Sequence, residues 1–234
     1  MDIEIRKLTP DLAEDYVHFF DITPHSEIPD SDDCKCYCVW WCNEDQDVNN
    51  IDNLSSKEKR RNYAIQKIRE NKIQGYLAYH DGKVVGWCNT NTKADCLKCY
   101  CWRRLMRDVP TEELATGIRV KSIFCFLVAR EFRRKGITKL LLERVCQDAV
   151  DDGFDFIEAY PLKEYMNEAK DYMGPAGLFK KYGFTIIEVL FLKLQAMAYG
   201  TDKVYIENLC PMKNWSGLSG LPGLEKTAAE TMWD

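Results

Sequence analysis

The chain has 234 residues, 46 % hydrophobic and 12 % aromatic, enough apolar material for one large domain with a sizeable core. Its formal net charge is −5 and its pI about 5.4, which argues against general nucleic-acid binding, since that function leaves a basic footprint. No apolar run approaches the roughly 20 residues of a membrane span, and MDIEIRKLTP lacks the apolar centre of a secretory signal, so a cytoplasmic protein with no membrane partner is expected.

Residues 3–8 (IEIRKL) alternate like a strand, and 11–21 place Leu12, Tyr16 and Phe19 on one helical face. Residues 22–53 read as loop. A helix is predicted over 55–71, with Ser55 as cap and Glu58 three residues on. The segments 75–80 and 83–89 flank Asp81-Gly82, a strong hairpin signal. Residues 91–118 read as a polar, cysteine-containing insertion with a short helix. A strand follows at 121–128 (KSIFCFLV), then a basic turn, then a helix over 137–151 that stops near Gly153. FDFIEAYP (154–161) reads as a strand, 174–184 as a short helix, and 185–194 and 203–209 as two more strands. From Cys210 onward the composition of Gly, Ser and Pro predicts a loosely ordered extension.

The order predicts an α/β fold: a mixed sheet with one β-α-β crossover at 121–160, which requires two parallel strands joined in the right-handed sense. The crossover begins in an unusual way. Arg133, Arg134 and Lys135 crowd against Gly136 where the helix starts, although a helix N-terminus disfavours cations. Unpaired N–H groups at that end form an anion site, and Gly136 places no Cβ in the way. A multiply charged anion, such as a phosphate, reconciles the cations with the dipole; a solvated basic turn is the alternative.

FLVAREFRRKGITKLLLERV (126–145) resembles the acetyl-CoA motif of the GNAT superfamily of acyl-CoA N-acyltransferases, which runs Arg/Gln-x-x-Gly-x-Gly/Ala. Leu178-Phe179-Lys180-Lys181-Tyr182-Gly183-Phe184 is similar to the family's later Leu-Tyr/Phe-x-Lys-x-Gly-Phe signature, and DGKVVGW (81–87) to its second and third strands. The resemblance covers residues 1–209 and implies a GNAT-like, mostly antiparallel sheet whose parallel fourth and fifth strands splay apart, with flanking helices. It implies acetyl-CoA as acyl donor. The pantetheine arm would pair with the backbone of Phe126, Leu127 and Val128. The pyrophosphate would rest on the N–H groups of Arg134, Lys135, Gly136, Ile137 and Thr138, within reach of Arg130 and Arg133. Thr138 departs from the motif's second Gly or Ala, and Arg130 from a frequent Pro.

The implied reaction is acetyl transfer by direct attack of a primary amine on the thioester. A carboxylate would take the amine's proton, N–H groups near Leu127 and Val128 would receive the oxyanion, and an acid would protonate the thiolate. The family's usual Tyr acid is Phe179 here, which cannot donate; Tyr182 and Tyr172 are the candidate substitutes, with packing as the alternative for each. Glu158 is the candidate base, with an outward, solvated residue as the alternative. A small-molecule amine is favoured over a protein as acceptor, and a homodimer is left open.

Of eleven cysteines, seven fall in two clusters, at 34–42 and 96–101. Reduced structural thiols are expected and no metal ligands are assigned; alternating Cys34, Cys36 and Cys38 could share one face of an extended segment. Tyr37, Trp40 and Trp41 are expected to wall the acceptor pocket or pack in the core. The alternative function is a cysteine-rich, metal- or redox-responsive binding module on the same scaffold.

Overall fold

The computed structural model describes residues 1–23, 35–44, 54–106, 109, 111, 115–162 and 171–184. The strands expected at 185–194 and 203–209, the extension from Cys210, and Cys34 lie outside the described residues. Strands β1 (Glu4–Lys7), β2 (Gly75–His80), β3 (Lys83–Thr92), β4 (Val120–Val128) and β5 (Phe156–Ala159) form one sheet in that order. The first three pairings are antiparallel and β4–β5 is parallel. The β2–β3 hairpin turns on Asp81 (φ 49°) and Gly82 (φ 72°), the left-handed pair of a type I′ turn.

One irregularity shapes the centre of the sheet. The β3–β4 register passes from Asn89↔Cys125 to Thr90↔Ile123, so Phe124 is an extra residue on β4. Phe124 and Cys125 therefore both join the core on one face, while Ile123 and Phe126 share the other. A bulge bends its strand and disrupts the local ladder. The β4–β5 ladder ends at the same place, at Ile123↔Ala159, and β4 continues to Val128 paired with β3 but no longer with β5.

Helix α5 (Ile137–Asp151) supplies the crossover and covers one face. Ile137, Leu141, Leu142, Val145, Cys146 and Ala149 are buried at helical spacing against Tyr76, Cys88, Ile123, Phe126 and Ile157; burial of each larger apolar side chain is worth about 1.5–3 kcal/mol. The helix ends in a Schellman motif. Gly153 is left-handed (φ 71°), its N–H donates to Val150, and Phe154 N–H donates to Ala149. At the other end, a Cβ on Gly86 would lie 2.9 Å from Ile137 Cγ2, so the bare backbone of β3 lets the first turn of α5 seat against it.

The opposite face is covered by α1 (Ala13–Ile22), α2 (Lys57–Arg69), α4 (Tyr100–Leu105) and residues 35–44. Three expectations change here. Ser56, one residue later than expected, caps α2, accepting from Lys59 N–H at 3.2 Å. Residues 91–118 are less of an insertion than their polarity implied. β3 runs on to Thr92, the short helix α3 (Lys93–Cys96) precedes α4, and Lys93, Cys96, Cys99, Trp102 and Met106 are all buried. Finally, the segment around Cys36 and Cys38 is no strand: Tyr37 and Cys38 are left-handed (φ 47° and 50°) and lead into a 3-10 turn at Val39–Trp41, so their thiols do not line one extended face.

Candidate active site

The bulge determines which backbone groups β4 offers. Ala129 N–H donates to Val85 O, so by antiparallel alternation Leu127 exchanges hydrogen bonds with Trp87, while Phe126 and Val128 turn their N–H and C=O groups away from β3. This corrects the expectation for Leu127, whose backbone is committed to the sheet. Phe126 and Val128 face the side that β5 has left. There, Phe126 N–H donates to Tyr172 O at 2.6 Å, and Val128 O accepts from Arg133 Nε at 3.1 Å. Val128 N–H is thus the strand donor turned toward the splay.

Immediately beyond, Arg130–Phe132 forms a 3-10 turn, Arg134 is left-handed (φ 60°), and Gly136 caps α5 with φ 84°. Successive turn conformations of opposite hand form a concavity of N–H groups. The first intrahelical bond runs from Leu140 N–H to Gly136 O, so the N–H groups of Ile137, Thr138 and Lys139 are spare at the helix start. No side chain caps them and no acid lies in the first turn. A Cβ built on Gly136 meets no atom within 4 Å, so the glycine is required by its φ and the space before it is open. Arg134 and Lys135 are exposed and Arg133 and Thr138 half-buried. Lys135 Nζ sits 5.1 Å from the Phe132 ring, and Arg133 reaches back to the end of β4. Among the described residues, the stretch of β4 beyond its ladder with β5, with Val128 N–H turned outward, therefore runs directly into a positively charged pocket of N–H groups. That layout suits an extended, amide-bearing arm ending in phosphates.

The candidate base and acids are placed less simply. Glu158 is neither outward nor solvated. It is 1 % exposed, with Lys93 Nζ on one oxygen at 2.8 Å and Tyr160 OH on the other at 2.5 Å; Ser122 Oγ lies 2.8 Å from the same hydroxyl. Burial and the Glu158 charge push the Tyr160 phenol well up, which keeps it a donor. Both carboxylate oxygens are thus engaged inside the protein. Nothing in the sequence of β5 advertises this, because Lys93 comes from an element 65 residues away.

Tyr182 turns to α5. It is 7 % exposed and its hydroxyl donates to Glu143 Oε1 at 2.5 Å. Phe179 is fully buried between Phe126 and Phe184. Tyr172 stands closer to the splay: its carbonyl holds Phe126, and its ring packs on the face opposite α5. Burial, with the thiols of Cys101, Cys125, Cys36 and Cys38 among its neighbours, raises its phenol. One residue earlier, Asp171 was not singled out by sequence. It is half-buried, and burial raises its carboxyl to about 6.

The aromatic residues of 35–44 divide. Trp41 is buried and stacks on Phe124 at 4.3 Å, and Tyr37 donates to Asp21 Oδ1 at 2.5 Å. Trp40 is half-buried beside Tyr100, 5.4 Å between ring centres. Among the described residues nine cysteines are free thiols. Trp87 Nε1–H donates to Cys38 Sγ at 3.4 Å, and burial raises the thiols of Cys42 and Cys88, which lowers their reactivity.

The sequence matches a family model described as the acetyltransferase (GNAT) family over residues 41–184. No curated protein matches it. Among solved structures, an aminoglycoside acetyltransferase from an uncultured soil metagenomic sample is 16 % identical, with 83 % of this chain and 98 % of that one covered and a TM-score of 0.46. A Clostridium acetobutylicum predicted acetyltransferase with acetyl-CoA is also 16 % identical, covering 84 % and 98 %, with a TM-score of 0.44. A Brucella melitensis ribosomal-protein-alanine N-acetyltransferase is 14 % identical, covering 67 % and 77 %, with a TM-score of 0.38.

Proposed function

The chain belongs to the GNAT acetyltransferase family, and from that premise we propose that it transfers an acetyl group from acetyl-CoA to a primary amine by direct attack of the amine on the thioester. The observation that carries this reading is the continuity of the β4 edge beyond its ladder with β5, where Val128 N–H faces outward, with the N–H pocket capped by Gly136. The pantetheine arm adds to β4 as an extra strand would, with Val128 N–H as donor. The pyrophosphate takes the N–H groups of Arg134 to Thr138, with Arg133, Arg134 and Lys135 supplying charge. Thr138, at the position of the motif's second Gly or Ala, is half-buried and brings a hydroxyl as one more donor.

Tyr172 is the better placed of the two tyrosines to protonate the departing thiolate, because its main chain is already bonded to β4; a raised phenol stays protonated and can donate. Glu158, sealed by Lys93 and Tyr160, is assigned to holding β5 against β4 below the splay. The acceptor is a small cationic amine, a reading supported by the net charge of −5 and by the half-buried pair Trp40 and Tyr100. The free thiols support a reducing, cytoplasmic setting.

The test is a thiol-release assay with acetyl-CoA and a panel of amines: polyamines, aminoglycosides, amino acids and a peptide N-terminus. Saturable release dependent on one class of small amine supports the proposal. Hydrolysis at the rate of the buffer blank with every amine, from protein that binds acetyl-CoA, refutes it.

A further inference from the structure

Acetyl transfer at neutral pH needs a group that takes a proton from the ammonium form of the acceptor, and with both oxygens of Glu158 engaged that role passes elsewhere. Resting on the function proposed above, we propose that Asp171 is the proton acceptor, acting on the amine directly or through one water.

Its position is fixed by three contacts. Tyr172 O takes Phe126 N–H at 2.6 Å, which ties the residue next to Asp171 to the edge of β4 that β5 has left. Gly174 N–H donates to Asp171 O at 3.2 Å, closing a turn. Gly174 is left-handed (φ 97°), and a Cβ there would come within 3.0 Å of the Phe126 ring. The turn is thus pressed against the one strand residue that faces the splay with its N–H engaged. Asp171 is held one residue from the carbonyl that docks on β4, beside the splay.

The carboxylate itself contrasts with Glu158. It is half-buried, and among the described residues it has no hydrogen-bonding or ion-pair partner. Burial raises its carboxyl to about 6. A base of that strength is largely ionised at pH 7 yet basic enough to accept a proton, the compromise that general-base catalysis favours. In the step itself, one ammonium proton moves to Asp171 and on to solvent. The amine nitrogen then bonds to the thioester carbonyl carbon as the C–S bond breaks, and the second amine proton ends on the CoA sulfur. Amide, free thiol and one released proton balance the ammonium and acetyl-CoA consumed.

The experiment compares wild type, Asp171→Asn and Asp171→Glu by the pH dependence of kcat/KM, alongside calorimetric titration with acetyl-CoA. The expected result is an acidic limb near pH 6 in the wild type. Asp171→Asn removes the limb and lowers kcat/KM about 10²–10⁴-fold with acetyl-CoA affinity unchanged, and Asp171→Glu recovers part of the rate. Wild-type activity and profile in Asp171→Asn overturn the assignment while leaving the acetyltransferase reading intact. Loss of acetyl-CoA binding in Asp171→Asn overturns it too, because the residue is then structural. A wild type that binds acetyl-CoA but acetylates no amine overturns both.

Discussion

The most exacting energetic prediction concerns Lys93 and Glu158. Their side chains are 0 % and 1 % exposed and 2.8 Å apart. Tyr160 satisfies the second carboxylate oxygen, and Lys93 Nζ lies 5.9 Å from the Trp102 ring. Lys93→Met keeps the length and apolar stem of the side chain but leaves a buried carboxylate without its ammonium. Breaking a buried pair from one side costs about 3–5 kcal/mol, a large share of a domain stability of roughly 5–15 kcal/mol. Glu158→Leu removes the carboxylate from the buried ammonium instead and costs about as much. The double variant removes both charges, and Tyr160 OH keeps Ser122 Oγ at 2.8 Å as partner. It is therefore expected to be more stable than either single variant, with a coupling of at least about 2 kcal/mol in the cycle. Urea unfolding at pH 7, followed by tryptophan fluorescence, measures all four proteins. A Lys93→Met cost under about 1 kcal/mol, or additive single effects, would refute the claim that this pair is sealed and mutually compensating.

Other outcomes follow from single contacts. Gly86→Ala puts a methyl 2.9 Å from Ile137 Cγ2, so it is expected to destabilise by about 1–3 kcal/mol and to weaken acetyl-CoA binding by tilting the start of α5; calorimetry of the folded variant checks the second effect. Tyr182→Phe removes the bond to Glu143 and is expected to cost roughly 1 kcal/mol with kcat unchanged; a tenfold fall in kcat would return the hydroxyl to the chemistry. Asp171 ionises near 6 in the fold against an ordinary 3.8, so between those values the folded state holds more protons and its stability falls as pH rises. Asp171→Asn carries no such charge and should therefore unfold at higher urea than wild type at pH 7, the difference vanishing near pH 4.

Local signals were legible in the sequence where the chain acts on its neighbours. Asp81-Gly82 specified the hairpin, the apolar spacing from Ile137 specified the covered face of α5, and Gly136 after three cations specified the N–H pocket. What escaped depended on distant residues or on a change of phase. Strict alternation along 121–128 would put Ile123 and Phe126 on opposite faces and does not reveal which N–H groups face the splay. The extra residue at Phe124 reverses that order, and its only trace is a register set by β3. Glu158 looked like an isolated acid because its lysine lies on α3, in a stretch whose polarity disguised a buried helix pair. Tyr182 looked available because its acceptor, Glu143, sits 39 residues earlier. Asp171 carries no motif, and its interest comes from a turn that docks on β4 through main-chain atoms.

Calorimetric titration of acetyl-CoA into the wild type and into Gly136→Trp tests the central claim most directly. The open pocket at the start of α5 predicts saturable binding by the wild type and no measurable binding by a folded Gly136→Trp, whose indole fills the space where phosphates would rest. Equal affinity in the two proteins would contradict it.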